Sequence, residues 1–182
     1  MMKLAKTYHA LAQAFSYPWD RDELLLSLTR IATHIEESGK GNPLAALTEF
    51  IVRTDLPVIQ EEYVTTFDLT PACAPYIGHH LHGDNHRKGK YMIMVKGIFR
   101  DHGYQPPEDE LPDHLSVLFA FMAHLASKGA DAERRQFIAA HVLTGANKMR
   151  ETAIHKSDMH WKDLITAACV ICAADCEEVT SC

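Results

Sequence analysis

The sequence lacks the features of membrane-spanning and exported proteins. Its 182 residues contain no run of about 20 apolar residues, which a spanning helix needs. The apolar face of residues 1–17 is interrupted by polar side chains, so it has no signal-peptide core. The pair Arg134-Arg135 lies mid-chain, where it cannot be a twin-arginine export signal. We therefore expect a cytoplasmic protein with no membrane insertion, whose five cysteines are thiols or metal ligands because disulfides are rare in that compartment.

Positive charge is also scarce. The chain has 18 Lys and Arg against 24 Asp and Glu, a formal net charge of -6. Binding to nucleic acid depends mainly on neutralising phosphates with a basic surface. Only short basic spots such as Arg87-Lys88 and Arg134-Arg135 occur here. The composition therefore argues against a nucleic-acid partner.

The sequence contains none of the common catalytic signatures. It has no P-loop, no dinucleotide-binding G-x-G-x-x-G, no H-E-x-x-H and no nucleophile elbow. His114 and Ser116 are two residues apart, and such positions on a helix do not face each other, so they are not expected to form a dyad. We expect a protein that is not an enzyme and carries no cofactor.

Apolar residues recur with helical spacing almost throughout, and no stretch alternates as a strand would. The pattern predicts an all-α fold of about nine helices, packed as one globular helical bundle of irregular topology. We expect residues 1–182 to form a single domain.

Several helix boundaries can be predicted from capping residues. Asp20 and Glu23 have the spacing of a capping box at the start of the second helix. Proline favours the first helical turn, and glycine favours the position after the last one. These preferences predict a third helix from Asn42-Pro43, a fourth from Pro57, a helix that ends at Gly103, another over 112–126, and one from Asp131 to about Gly145.

Two segments carry a resemblance to a known family. They are EEYVTTFDLTP at residues 61–71 and GYQPPEDELPDHL at 103–115, with HLHGD at 80–84 between them. Together they resemble the NarJ/TorD/DmsD superfamily of redox-enzyme maturation chaperones, nearest the nitrate reductase delta-subunit (NarJ-like) branch. The similarity is strong over 60–125 and weaker at 15–18, and the last third of the chain is only compatible with it.

The resemblance implies an all-helical chaperone of molybdenum enzymes. Such proteins bind the catalytic subunit of a molybdopterin-guanine-dinucleotide oxidoreductase, commonly at its N-terminal segment or leader. They hold this client competent for cofactor insertion and perform no chemistry of their own. Nitrate reductase is the first client that the NarJ-like motifs suggest.

The same resemblance points to a binding site around the Asp113-His114 pair, which is the superfamily's recurring motif and has been associated with its client-peptide cleft. By itself, Asp113 in a first helical turn would only satisfy free N–H groups, and His114 would be packing or surface. With the family in view, Glu108, Asp109 and Glu110 join Asp113 in an acidic rim for a client that carries Arg or Lys. Replacing both Asp113 and His114 by Ala is then expected to weaken binding without affecting folding.

The apolar part of such a site has four candidates. Tyr63, Phe67, Pro75 and Tyr76 could form the floor of a groove that receives a client helix. Ordinary core packing explains the spacing of these aromatic residues equally well.

Two clusters could instead hold a metal. His79, His80, His82 and His86 lie around Asp84, although a histidine-rich turn is the simpler interpretation. Cys169, Cys172 and Cys176 fall on one helical stripe, with Cys182 last. They are either a buried stripe of small thiols or ligands of zinc or an iron–sulfur cluster. The second possibility gives an alternative function, that of a metal or iron–sulfur protein.

Overall fold

The fold is all-helical. The computed structural model describes residues 2–83, 85–156 and 159–177. The helices are α1 Met2–Ala14, α2 Arg21–Glu37, α3 Ala45–Arg53, α4 Leu56–Phe67, α5 Ile77–His82, α6 His86–Asp101, α7 Leu115–Ser127, α8 Asp131–Phe137, α9 Leu143–Ala153 and α10 Lys162–Glu177. A π-helical turn over Ile138–Val142 makes α8 and α9 continuous, so the described residues form nine helical rods and no strand. The predicted all-α bundle of about nine helices is therefore confirmed.

None of the helices in these described ranges is both long enough and apolar enough to cross a membrane.

Helix α7 lies at the centre of the bundle. Its apolar residues cover all sides, as expected for a fully buried helix, and α1 packs along it. The ring of Phe119 on α7 lies 5.5 Å from Phe15 and 6.3 Å from Tyr8 on α1. Because α7 is held by the core along its length, its N-terminus is a fixed point for the segments that pack around it.

A buried ion pair joins three helices. Arg134 of α8 donates two hydrogen bonds to Asp175 of α10, from Nε to Oδ2 at 2.7 Å and from Nη2 to Oδ1 at 2.8 Å. Tyr8 of α1 also donates to Asp175 Oδ2, at 2.7 Å. Both charged side chains are 1% exposed. The sequence suggested a basic surface spot at Arg134-Arg135, but Arg134 is part of the interior, where its bidentate pairing compensates the buried charge.

The capping predictions hold at three helix ends. Asp20 accepts a hydrogen bond from the Glu23 N–H at 2.9 Å, and Pro57 lies in the first turn of α4. Gly103, just after α6, has a φ of 63°, a left-handed conformation that glycine adopts without steric cost.

Three boundaries differ from the prediction. Helix α3 begins at Ala45 because Asn42 accepts a hydrogen bond from the Leu44 N–H, which forms a turn first. Helix α7 begins at Leu115, with His114 as its N-cap. The helix that begins at Asp131 does not end near Gly145 but continues through the π turn to Ala153.

Two helical glycines differ in a way that can be tested. A Cβ at Gly145 would lie 2.8 Å from Ile77 Cγ2 and 3.3 Å from its carbonyl oxygen, whereas a Cβ at Gly97 would meet nothing. We expect Gly145→Ala to lower the free energy of unfolding by about 1–3 kcal/mol through overpacking between α9 and α5. The control Gly97→Ala should raise it by about 1 kcal/mol through helix propensity. Urea denaturation measures both, and a stabilising Gly145→Ala would contradict the close packing of these helices.

Candidate functional site

A short antiparallel bridge pairs Tyr76 with His114 and ties the chain before α5 to the start of α7. The Ile77 N–H donates to the Asp113 carbonyl at 3.0 Å, and the Leu115 N–H donates to the Pro75 carbonyl at 2.8 Å. The bridge therefore joins the second family-like segment, 103–115, to residues 75–77, which follow the first family-like segment, 61–71.

The Asp113 carboxylate lies inside the protein. Its Oδ2 accepts a hydrogen bond from the Gly78 N–H at 3.1 Å, and the residue has no exposed surface. A Cβ at Gly78 would approach Oδ2 to 2.6 Å, so this contact requires glycine. Burial raises the pKa of the Asp113 carboxyl, although Lys88 and the Gly78 N–H act against this. Asp113 thus lies beneath the acidic rim that the sequence suggested and is not part of its surface.

His114 is the N-cap of α7. Its Nδ1 accepts a hydrogen bond from the Ser116 N–H at 3.1 Å, and the Ser116 hydroxyl lies 2.6 Å from the same atom. Burial lowers the pKa of His114, although the nearby Glu110 carboxylate acts against this. Because Nδ1 accepts from the Ser116 N–H, the neutral ring carries its proton on Nε2, which lies 3.9 Å from Glu110 Oε2. The prediction that His114 and Ser116 cannot face each other was wrong, because His114 precedes the helix instead of lying within it.

These contacts change the expectation for a double Asp113→Ala, His114→Ala variant. The first substitution would leave the Gly78 N–H without its acceptor, and the second would remove the cap of α7. Each loss is typically worth about 1 kcal/mol or more. The variant should therefore be destabilised, so it does not isolate a binding contact.

The accessible part of the site is formed by Tyr76 and the residues before Pro112. Tyr76 donates a long hydrogen bond of 3.4 Å to Glu110 Oε1, and its ring packs edge-on against His114 with centroids 5.1 Å apart. Burial, followed by the Glu110 carboxylate, raises the pKa of Tyr76 to about 12, so the phenol stays protonated. Glu108 and Asp109 are exposed, and Glu110 is half-buried. The acidic rim therefore consists of residues 108–110.

A groove with a volume of about 720 Å³ runs between α6 and the loop 103–112. Phe99 and Tyr104 pack edge-on, with centroids 5.1 Å apart, on its apolar side. The lining residues are Lys96, Phe99, Arg100, Gly103, Tyr104, Gln105, Pro106, Pro107, Glu108, Glu110 and Pro112. Of the predicted site residues, the groove brings together Glu108 and Glu110. The residues of the α6 wall were not among the predicted site residues.

The predicted apolar floor lies mostly in the core. Tyr63 and Phe67 are buried with ring centroids 4.9 Å apart, and the Tyr63 hydroxyl donates to the Phe15 carbonyl at 2.8 Å. Pro75 is buried at the bridge, which leaves Tyr76 as the partly exposed member of the four. For Tyr63 and Phe67, core packing is the interpretation that the structure confirms.

Within the part of the chain that the structure describes, neither suggested metal cluster is assembled. His80 donates through Nε2 to the Ala74 carbonyl at 2.7 Å, and His82 packs on Tyr91. Cys169 and Cys172 are buried on the inner side of α10 and Cys176 is partly buried, as a stripe of packed thiols would be. Residues 2–83, 85–156 and 159–177 contain no group of three His, Cys, Asp or Glu suited to a metal ion. Asp84 and Cys182 lie outside these ranges.

The buried Asp113 carboxyl gives a prediction on pH. Because its pKa is raised, the folded protein takes up this proton at a higher pH than the unfolded chain does. Protonation of Asp113 therefore stabilises the folded state as pH falls through the raised pKa towards the ordinary value of about 4. Asp113→Asn retains an acceptor for the Gly78 N–H and cannot titrate. We expect the free energy of unfolding of the wild type to rise relative to that of Asp113→Asn as pH is lowered over this window.

Urea denaturation at a series of pH values measures this difference, and the other titrating groups are common to both proteins and cancel. A difference that does not change with pH, or that changes in the opposite direction, would show that the pKa of the Asp113 carboxyl is not raised in the folded protein.

Comparison with known proteins identifies relatives of this chain. NarJ of Bacillus subtilis, assigned as a nitrate reductase molybdenum cofactor assembly chaperone, is 24% identical over 162 residues, 87% of this chain and 84% of the relative. Escherichia coli K12 NarJ, a chaperone of the same description, is 31% identical over 71 residues, 39% of this chain and 30% of the relative. These relatives are assembly chaperones and not enzymes.

The fold and the family are also matched. A crystal structure from Archaeoglobus fulgidus, assigned as a redox enzyme maturation protein, superposes with a TM-score of 0.54 at 21% identity, over 98% of this chain and 93% of that one. The model of the family described as the nitrate reductase delta subunit matches residues 37–160, which include the bridge, the acidic rim and the groove. The chain therefore belongs to the nitrate reductase delta subunit family.

Proposed function

We propose that this protein is an assembly chaperone that binds the catalytic subunit of a molybdopterin oxidoreductase and keeps it competent for cofactor insertion. The family match over residues 37–160 carries this proposal, supported by the alignment of the Bacillus subtilis chaperone with 87% of the chain. Nitrate reductase is the first candidate client because both named relatives are chaperones of that enzyme.

The groove between α6 and the loop 103–112 is the proposed binding site for the client's N-terminal segment. Its apolar side is formed by aromatic and proline side chains, and its edges carry charges of both signs. Segments that bind as amphipathic helices gain affinity from apolar side chains in such a groove, and polar contacts at the edges set their register. The 720 Å³ volume accommodates several side chains of a bound segment but not a folded domain.

The charges predict how the segment is oriented. Glu108 and Glu110 lie on the loop side, and Lys96 and Arg100 lie on the α6 side. An Arg or Lys of the client would form charge-assisted hydrogen bonds with the two glutamates. An acidic residue of the client would be repelled there and attracted to α6, so the two walls discriminate between opposite orientations.

The Asp113-His114 pair has a supporting role in this proposal. Asp113 fixes the start of α5 through Gly78, and His114 caps α7 and packs against Tyr76. Tyr76 in turn donates to Glu110. The buried motif thus positions Glu110 of the acidic rim through Tyr76. In this proposal the client contacts the rim and not the motif itself.

The rim can be tested without disturbing its support. Glutamine at positions 108 and 110 removes both charges, yet a glutamine at 110 still accepts hydrogen bonds from Tyr76 and from the Leu111 N–H. We expect Glu108→Gln with Glu110→Gln to weaken binding of a labelled client N-terminal peptide on the order of 10-fold, the loss of two partly exposed charge pairs. Fluorescence anisotropy measures the affinity, and thermal unfolding should be unchanged.

The matched control is Glu36→Gln with Glu151→Gln, which makes the same change in net charge at two exposed sites on α2 and α9. Equal losses for the two double variants would mean that only the overall charge matters. Unchanged binding in the rim variant would place the client elsewhere.

The client itself can be identified by purifying tagged protein from cells grown by anaerobic respiration, followed by mass spectrometry of the proteins that accompany it. Recovery of the catalytic subunit of a molybdopterin oxidoreductase supports the proposal. Repeated recovery of no such subunit under conditions that express the enzyme would contradict it.

A further inference from the structure

Helix α6 carries a concentration of positive charge that differs from the rest of this acidic chain. Residues 85–100 hold five of the 18 Lys and Arg residues and none of the 24 Asp and Glu. In the sequence, only Arg87 and Lys88 are adjacent, and uncharged residues separate the other three cations. All five lie on one helix of a protein whose net charge is -6.

The outward face of α6, which we define by Arg87, Lys90, Ile93, Met94, Lys96 and Arg100, is exposed along the whole helix. The opposite face, formed by Tyr91, Val95 and Phe99, is buried. At 3.6 residues per turn, Ile93 lies between the cations that precede and follow it. Its side chain is 74% exposed, and Met94 beside it is 40% exposed.

We propose that the outward face of α6 binds the anionic headgroup surface of a lipid bilayer, with the helix parallel to the surface. Clustered Lys and Arg are attracted by anionic lipids, and exposed apolar side chains among them enter the boundary between headgroups and acyl chains. Ile93 and Met94 supply that apolar contact. The association is peripheral. Lys96 and Arg100 border both this face and the groove proposed for the client, whereas Arg87, Lys90 and Ile93 do not line that groove.

The shape and composition of this face favour a membrane over a protein partner. A helix surface is convex, and a fluid bilayer can meet it without a complementary shape. Protein interfaces are enriched in aromatic anchors and depleted in lysine at their centre. On α6 both aromatic residues named above are buried, and lysines lie among the exposed residues.

Acidic side chains lie near the basic face at the C-terminal end of α6, and Asp84 precedes the helix in the sequence. Asp101 lies 3.6 Å from Arg100, and Glu108 and Glu110 share the groove with Arg100 and Lys96. The N-terminal half of α6, with Arg87 and Lys90, has no Asp or Glu between residues 85 and 100 along its own chain. These two cations are therefore the best positions for a test.

The experiment measures binding of the full chain to vesicles by co-sedimentation, with phosphatidylcholine alone or with about 30% phosphatidylglycerol, which gives the surface its negative charge. We expect binding to the anionic vesicles at low salt, little binding to phosphatidylcholine, and loss of binding at high salt. Arg87→Gln with Lys90→Gln should lower the partition coefficient by about 25-fold, since each cation contributes about 5-fold. Ile93→Ser should lower it several-fold while leaving the charge unchanged.

The control is Arg30→Gln with Lys40→Gln, an equal change in net charge at exposed positions on α2 and the turn after it. It should bind vesicles as the wild type does or slightly less. Equal losses in both double variants, or no effect of Ile93→Ser, would overturn the proposed orientation. Failure to bind anionic vesicles, together with binding of an acidic peptide such as polyglutamate that depends on Arg87 and Lys90, would assign the face to a protein partner instead.

Discussion

The hydrogen bond from the Gly78 N–H to the buried Asp113 carboxylate is the contact on which the site depends. It joins the first turn of α5 to the residue that precedes the cap of α7, and two backbone hydrogen bonds beside it complete the link. A buried carboxylate that lost this donor would have to be neutralised or rehydrated. Because α7 is fixed by the core, the link transmits that fixed position to Tyr76 and, through it, to Glu110.

The structure thus separates residues that hold the site from residues that can touch a partner. Asp113, His114 and Pro75 are buried and act on the geometry, whereas the rim at 108–110 and the groove beside α6 are accessible. The Asp113-His114 motif therefore supports the exposed rim without being part of the accessible surface. Under the proposed function, the groove would hold a client without chemistry, because its apolar and charged side chains are in place before binding.

Local sequence signals predicted the fold well and the site only in part. Asp20, Pro57 and Gly103 act through neighbours within three residues, so capping rules found them. The cap at His114 depends on the bridge to Tyr76, which is 38 positions away. The burial of Arg134 depends on its ion pair with Asp175 of α10, which is 41 positions away. Such contacts are set by tertiary packing, which one sequence does not reveal. The α6 wall of the groove was missed for the same reason, since its cations are neighbours of the loop only after folding.

The most direct test of the account is to titrate isotope-labelled protein with the N-terminal peptide of the client and follow backbone amide shifts by NMR. If the groove beside α6 binds the client, the largest changes will fall in α6 around Lys96 and Arg100 and in the loop 103–112, with smaller changes at Tyr76 and at the cap of α7. Saturable changes confined to another surface, such as the face of α2 and α3, would show that the groove beside α6 is not the client site.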